Sequence, residues 1–142
     1  LRGVRGECLL LDSPIQTTRP VRLAHPRYPL YIVPRRDGRV YVGATQLERE
    51  DAGPSEVRSL LELLSALYSL HPGFGDARLL RTGAALRPAY PDNAPRVWRD
   101  GAVVSLNGLF RHGYLLGPAL ADRAVQLYLE ECHGRADQRG TA

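Results

Sequence analysis

The chain has 142 residues, 44% hydrophobic and 24% charged, which suits one soluble domain with a real core. No apolar run approaches the ~20 residues of a membrane span, and the apolar stretch near the N-terminus is too short for a secretory signal, so a cytoplasmic setting without membrane attachment is expected. The net charge of +4 comes from arginine alone, spread along the chain rather than clustered, which argues against a nucleic-acid surface.

In chain order, residues 4–11 read as a strand whose unbroken apolar end predicts burial on both faces. Residues 13–20 form a polar connection, and 21–24 a short strand broken by Pro26 and Pro29. Two β-rich runs, LYIV at 30–33 and RVYVGA at 39–44, flank Asp37-Gly38 and predict a hairpin. In it Tyr31 and Val33 share one face and Ile32 takes the other. Residues 46–53 are charged and expected to loop out. A helix should open at Pro54 and Ser55, capped by Ser55 or Gly53. Its apolar stripe is Val57, Leu60, Leu61, Leu64 and Leu67, and His71-Pro72-Gly73 ends it. A long strand follows at 77–89, a short one at 102–106, and a last helix from Pro118 with Leu120, Ala124, Leu127 and Tyr128 as its packing face. Residues 133–142 read as a polar, disordered tail. Strands, a helix, strands and a helix predict an α+β fold, with a mixed, largely antiparallel sheet and two main helices.

Chemistry is sparse. Cys8 and Cys132 have no metal-ligand spacing and suggest buried or idle thiols rather than a disulfide, and the four histidines show no ligand pattern either. No metal site, nucleophile–base pair, P-loop or zinc-protease motif is found, so no catalytic acid or base is assigned. Two features stand out. The segment 82–95, TGAALRPAYPDNAP, places Arg87 at the end of an apolar run that Pro88 interrupts. A guanidinium there can take a carboxylate in bidentate fashion, or simply snorkel to water. The segment NGLFRHGYLLG at 107–117 puts glycines around Arg111 ahead of a helix. Its backbone amides can hold an anion or a polar ring edge, or the glycines can serve as turns. The chain contains no methionine, which leads to the expectation of a processed chain or a piece of a longer one.

The ordered set YIVPRRDGRVYVGAT, a helix, ALRPAYPDNAP and NGLFRHGYLLGPALAD resembles the C-terminal half of glycine oxidase and its relatives in the D-amino-acid oxidase superfamily. The resemblance implies that residues 1–132 are the substrate-binding portion of an FAD-dependent enzyme. Such an enzyme oxidises glycine or another small amino acid to the imine and reduces oxygen to peroxide, and the resemblance also implies the thiamine-synthesis pathway. It implies that Arg87 binds the substrate carboxylate, that Tyr31 donates to it, and that Arg111 lies beside substrate and flavin. By the same resemblance Gly108, Leu109, Phe110, Arg111, His112, Gly113, Tyr114 and Leu115 pass the flavin ring. The GxGxxG segment that would hold the FAD pyrophosphate is absent from the chain, so FAD is expected in an intact parent and weakly or not at all here. Asn107-Gly108-Leu109, His112 and Gly83-Ala84-Ala85 depart from common family residues and bear on which amino acid is used. A non-catalytic α+β interaction module is the alternative reading, and a homo-oligomer is a further expectation.

Overall fold

The computed structural model describes residues 1–25 and 29–139. It forms two compact units, residues 4–86 and residues 1–3 with those from Arg87 on.

In the first unit five strands pair in the order β2-β3-β4-β1-β5, where β1 is Arg2–Asp12, β2 Val21–Leu23, β3 Leu30–Pro34, β4 Arg39–Gly43 and β5 Arg78–Ala89. The pairs β1–β4, β2–β3 and β3–β4 are antiparallel. The β3–β4 turn forms where Asp37-Gly38 predicts it: Gly38 takes φ +78°, and Arg35 N–H donates to Arg39 C=O at 2.8 Å. The helix α1 (Val57–Leu70) packs Leu63, Ala66 and Leu67 onto Leu9, Leu11, Ile32, Val40 and Val42. Only one face of β1 is core: Leu9 and Leu11 are fully buried, whereas Cys8 and Leu10 are half-buried.

The helix corrects two expectations. Its buried face includes Ser59, Leu63, Ala66 and Leu67, so Val57 and Leu61, read as part of the stripe, are 73% and 61% exposed. Small residues at 59 and 66 share the buried face with Leu63 and Leu67, and Val57 and Leu61 turn outward. Its N-cap is Glu56, with no side-chain cap of its own. Neither Ser55 nor Gly53 caps it, and Ser55 Oγ is buried without a partner. The acceptor instead comes from β1, where Glu7 Oε2 takes the Glu56 N–H at 2.8 Å and brings a negative charge to the helix N-terminus.

Glu7 belongs to a fully buried ion pair. Arg5 Nε donates to Glu7 Oε1 at 2.8 Å, and neither side chain is exposed. Arg5 Nη1 donates to the carbonyls of Asp51 (2.6 Å) and Gly53 (2.9 Å), and Nη2 donates to that of Pro54. The Glu7 hydrogen bond, opposed by burial, raises the Arg5 pKa. Arg5 and Leu47 also exchange backbone hydrogen bonds, both 2.9 Å. The charged 46–53 stretch is therefore irregular but pinned, not looped out.

In the second unit β6 (Arg96–Asp100) and β7 (Val103–Asn107) form an antiparallel hairpin around Gly101, which has φ +56°. The sequence reading finds β7 and the Asp100-Gly101 turn but misses β6. The helix α2 (Gly113–Arg139) packs against this hairpin and begins five residues before Pro118. Leu120, Ala124 and Leu127 are half-buried, while Tyr128 is 54% exposed. Residues 133–139 of the expected tail are helical, and 140–142 lie outside the described residues. Extending an existing helix is cheap, and alanine, arginine and glutamine there are good helix formers.

The buried pair yields a stability prediction. Glu7→Ala removes the buried partner of the Arg5 guanidinium, leaving the half-exposed Asp51 carboxylate at 3.5 Å, and strips the acceptor from Glu56, so urea unfolding should show a loss of about 3–5 kcal/mol. A loss under about 1 kcal/mol would mean that water or another carboxylate replaces Glu7.

Candidate functional site

The second unit brings two of the sequence-derived site residues to one place. Arg87, half-buried near the end of β5, is followed by Pro88, whose carbonyl accepts a hydrogen bond from Phe110 N–H at 3.2 Å. That bond ties the LRP strand end to the segment before α2, so Arg87 and Arg111 flank one backbone link. Both arginines already take part in interactions within the chain, and a guanidinium has five donors to share.

A stiff turn supports the strand end. Asn93 N–H donates to Tyr90 C=O at 2.9 Å, with Asn93 at φ +56°, and Asp92 Oδ1 accepts from Ala94 N–H at 3.1 Å. Arg96 bonds Asp92 Oδ2 at 3.2 Å and lies 4.2 Å from the centre of the Tyr90 ring, a cation–π contact. The Ala94 amide, and after it Arg96, hold the Asp92 carboxyl below its ordinary pKa.

The segment 108–113 is shaped by backbone conformation. Gly108 has φ +78° and is buried, with its N–H bonded to Asn107 Oδ1 at 2.7 Å. A Cβ on Gly108 would lie 2.4 Å from Tyr90 Cδ2, so only glycine allows the chain to pass the ring. Phe110 is also left-handed, at φ +48°, and His112 N–H closes the turn onto Leu109 C=O at 2.8 Å. Gly113, Tyr114 and Leu115 form the first turn of α2 rather than an extended glycine loop. A first helical turn leaves N–H donors without intrahelical acceptors, and here it contains no acidic side chain. Tyr114 and Leu115 are 102% and 75% exposed. A glycine-only passage, a left-handed Phe110 and a helix start without competing carboxylates fit the polar edge of a flavin ring.

Tyr31 lies in the first unit, on the sheet face away from α1. It is half-buried and opposite Gly43 in the β3–β4 register. A Cβ on Gly43 would lie 2.8 Å from the Tyr31 hydroxyl, so the phenol rests directly on the glycine backbone. Sequence reasoning passed over two neighbours on this face, Tyr41 and Cys8. Hairpin parity was the available signal, since it puts Tyr41 on the Tyr31 side. Among the described residues no cluster of three or more His, Cys, Asp or Glu could hold a metal ion, and no helix is long and apolar enough to cross a membrane.

Comparison with known proteins gives a consistent picture. The family model described as FAD dependent oxidoreductase matches residues 1–127. A Rhizobium etli protein named as a thiamine biosynthesis oxidoreductase is 52% identical over 142 residues, covering 99% of this chain and 43% of the relative. Glycine oxidase of Bacillus subtilis is 33% identical over 120 residues, covering 82% of this chain and 31% of that protein. Among solved structures, glycine oxidase from Bacillus cereus superposes with a TM-score of 0.78 at 26% identity, covering 91% of this chain and 36% of its own. The chain thus spans less than half the length of these relatives.

Two predictions test this geometry. Gly108→Ala forces a side chain onto the Tyr90 ring at a positive φ, and should destabilise the second unit by about 2–4 kcal/mol in thermal unfolding. The Ala94 amide and then Arg96 hold the folded pKa of Asp92 below the ordinary carboxylate range, so its contribution is complete above that range and drains away as pH falls through the folded pKa. Asp92→Asn should therefore lower the melting temperature at pH 7 and leave it unchanged near pH 2. An equal loss at both pH values would contradict the charged role.

Proposed function

The chain belongs to the FAD dependent oxidoreductase family, and on that premise we propose that it supplies the substrate-binding portion of a glycine oxidase-type flavoenzyme. The substrate is glycine or another small amino acid, oxidised to its imine. Two electrons and two protons leave the amine and its α-carbon as the C=N bond forms, and oxygen takes them up as hydrogen peroxide. When bound, FAD supplies the electron acceptor that connects these two half-reactions. The relative named for thiamine biosynthesis supports a role in that pathway.

In this reading the chain's residues bind and orient. Arg87 pairs with the substrate carboxylate, since its guanidinium can offer two parallel N–H groups to the two oxygens. Tyr31 offers its hydroxyl as a carboxylate donor. Arg111 lies beside substrate and flavin. Gly108, Leu109, Phe110, Arg111, His112, Gly113, Tyr114 and Leu115 line the flavin ring, with first-turn N–H groups of α2 toward its polar edge. No side chain is required as acid or base, and fixing the α-hydrogen's direction is the protein's main contribution.

The observation that carries this reading is the Phe110-to-Pro88 hydrogen bond, which joins the Arg87 strand end to the Arg111 segment in one unit. Arg87→Ala in the flavin-loaded enzyme should raise the glycine KM about 30-fold or more, as expected for removing one partner of a hydrogen-bonded charge pair. Flavin content should stay unchanged. An unaltered KM would remove Arg87 from the substrate site.

A further inference from the structure

The outer face of the first unit's sheet holds a connected group that the reading above does not use. The β3–β4 register sets Tyr31 opposite Gly43 and Val33 opposite Tyr41, while β1–β4 sets Cys8 opposite Gly43. Paired residues share a face, so Tyr31, Tyr41 and Cys8 all project from the side away from α1. The tyrosine rings stack with centres 6.1 Å apart and planes 18° from parallel. Tyr41 is half-buried, and burial first, then the neighbouring Cys8 and Tyr31, push its pKa up. The Cys8 thiol in turn donates to Gly83 C=O at 3.6 Å, a long sulfur hydrogen bond. The Arg35 guanidinium lies 5.8 Å from the centre of the Tyr41 ring.

These contacts restrain a side chain that would otherwise be free to swing. A strand tyrosine has two common χ1 wells, and a glycine beneath it offers no side chain to choose between them. Here Gly43 provides a flat bed, and the stacked ring of Tyr41 remains to select the rotamer.

We propose that Tyr41 is a positioning residue that locks the Tyr31 phenol over Gly43, with its hydroxyl pre-aimed for a substrate carboxylate. The inference rests on the proposed carboxylate-binding role of Tyr31. Pre-organisation of one side chain changes ligand affinity by about 3- to 10-fold, and it should act on carboxylate binding rather than on electron transfer.

The test uses the flavin-loaded enzyme and acetate, a carboxylate with no amine to oxidise, titrated against the visible flavin spectrum. Tyr31→Phe should weaken acetate and raise the glycine KM. Tyr41→Leu should weaken acetate about 3- to 10-fold and raise the KM in parallel, with kcat at saturating glycine within about twofold of wild type. Added to Tyr31→Phe, it should cause no further loss, because both changes act on one hydroxyl. Weaker acetate binding in Tyr31→Phe with wild-type binding in Tyr41→Leu overturns the inference and leaves the Tyr31 role standing. Wild-type acetate binding in Tyr31→Phe overturns both. Should Tyr41→Leu fold poorly, Tyr41→Val removes the stacked ring with a strand-forming side chain; wild-type acetate affinity in that variant also overturns the inference.

Discussion

The first unit depends on a charge pair placed where charges are costly. Arg5 and Glu7 sit two residues apart on β1, both fully buried. Removing two such ions from water costs several kcal/mol each unless their hydrogen-bonding groups are satisfied. Here they are: the guanidinium meets one carboxylate oxygen and three loop carbonyls, and the second carboxylate oxygen meets the Glu56 amide. The pair therefore fixes position. It holds the 46–56 connection against β1 and sets where α1 starts, and α1 in turn covers the core face of the sheet with Leu63, Ala66 and Leu67.

Covering one face leaves the other available. With Leu9, Leu11, Ile32, Val40 and Val42 committed to α1, strand parity sends Cys8, Tyr31 and Tyr41 to the opposite side. That face has polar tips on aromatic bodies, a surface suited to contacting a small polar ligand. The second unit follows the same logic with backbone. Gly108 and Phe110 take left-handed conformations, the Tyr90 ring closes against Gly108, and Pro88 anchors the passing chain. In both units an absent side chain, at Gly43 or Gly108, lets an aromatic ring lie against main chain.

Much of this was legible in the sequence, and the limits have physical causes. The hairpin at Asp37-Gly38 could be read because an αL glycine between alternating apolar runs has few other uses. The α+β class followed from the order of the elements. The stripe of α1 was misjudged because Val57, Leu60, Leu61, Leu64 and Leu67 also satisfy helical spacing; only packing shows that Ser59 and Ala66 face the sheet. Its cap was misplaced because the acceptor comes from Glu7, 49 residues away in the chain, and local sequence does not reveal such a partner. The Arg5–Glu7 pair was invisible for the same reason, since an RGE triplet opening a strand reads as a solvated end. At the candidate site, Arg87 and Arg111 stand out from local sequence and Tyr31 enters through the resemblance, whereas grouping Tyr41 and Cys8 with Tyr31 requires the sheet register.

The account stands or falls on amino-acid oxidation by the flavin-loaded enzyme that contains this chain. The most direct measurement is to add glycine under anaerobic conditions and follow the visible absorption of the flavin. The account predicts bleaching as glycine is oxidised, with recovery and peroxide formation when oxygen is readmitted. A flavin that stays oxidised with glycine, sarcosine and small D-amino acids alike would contradict it.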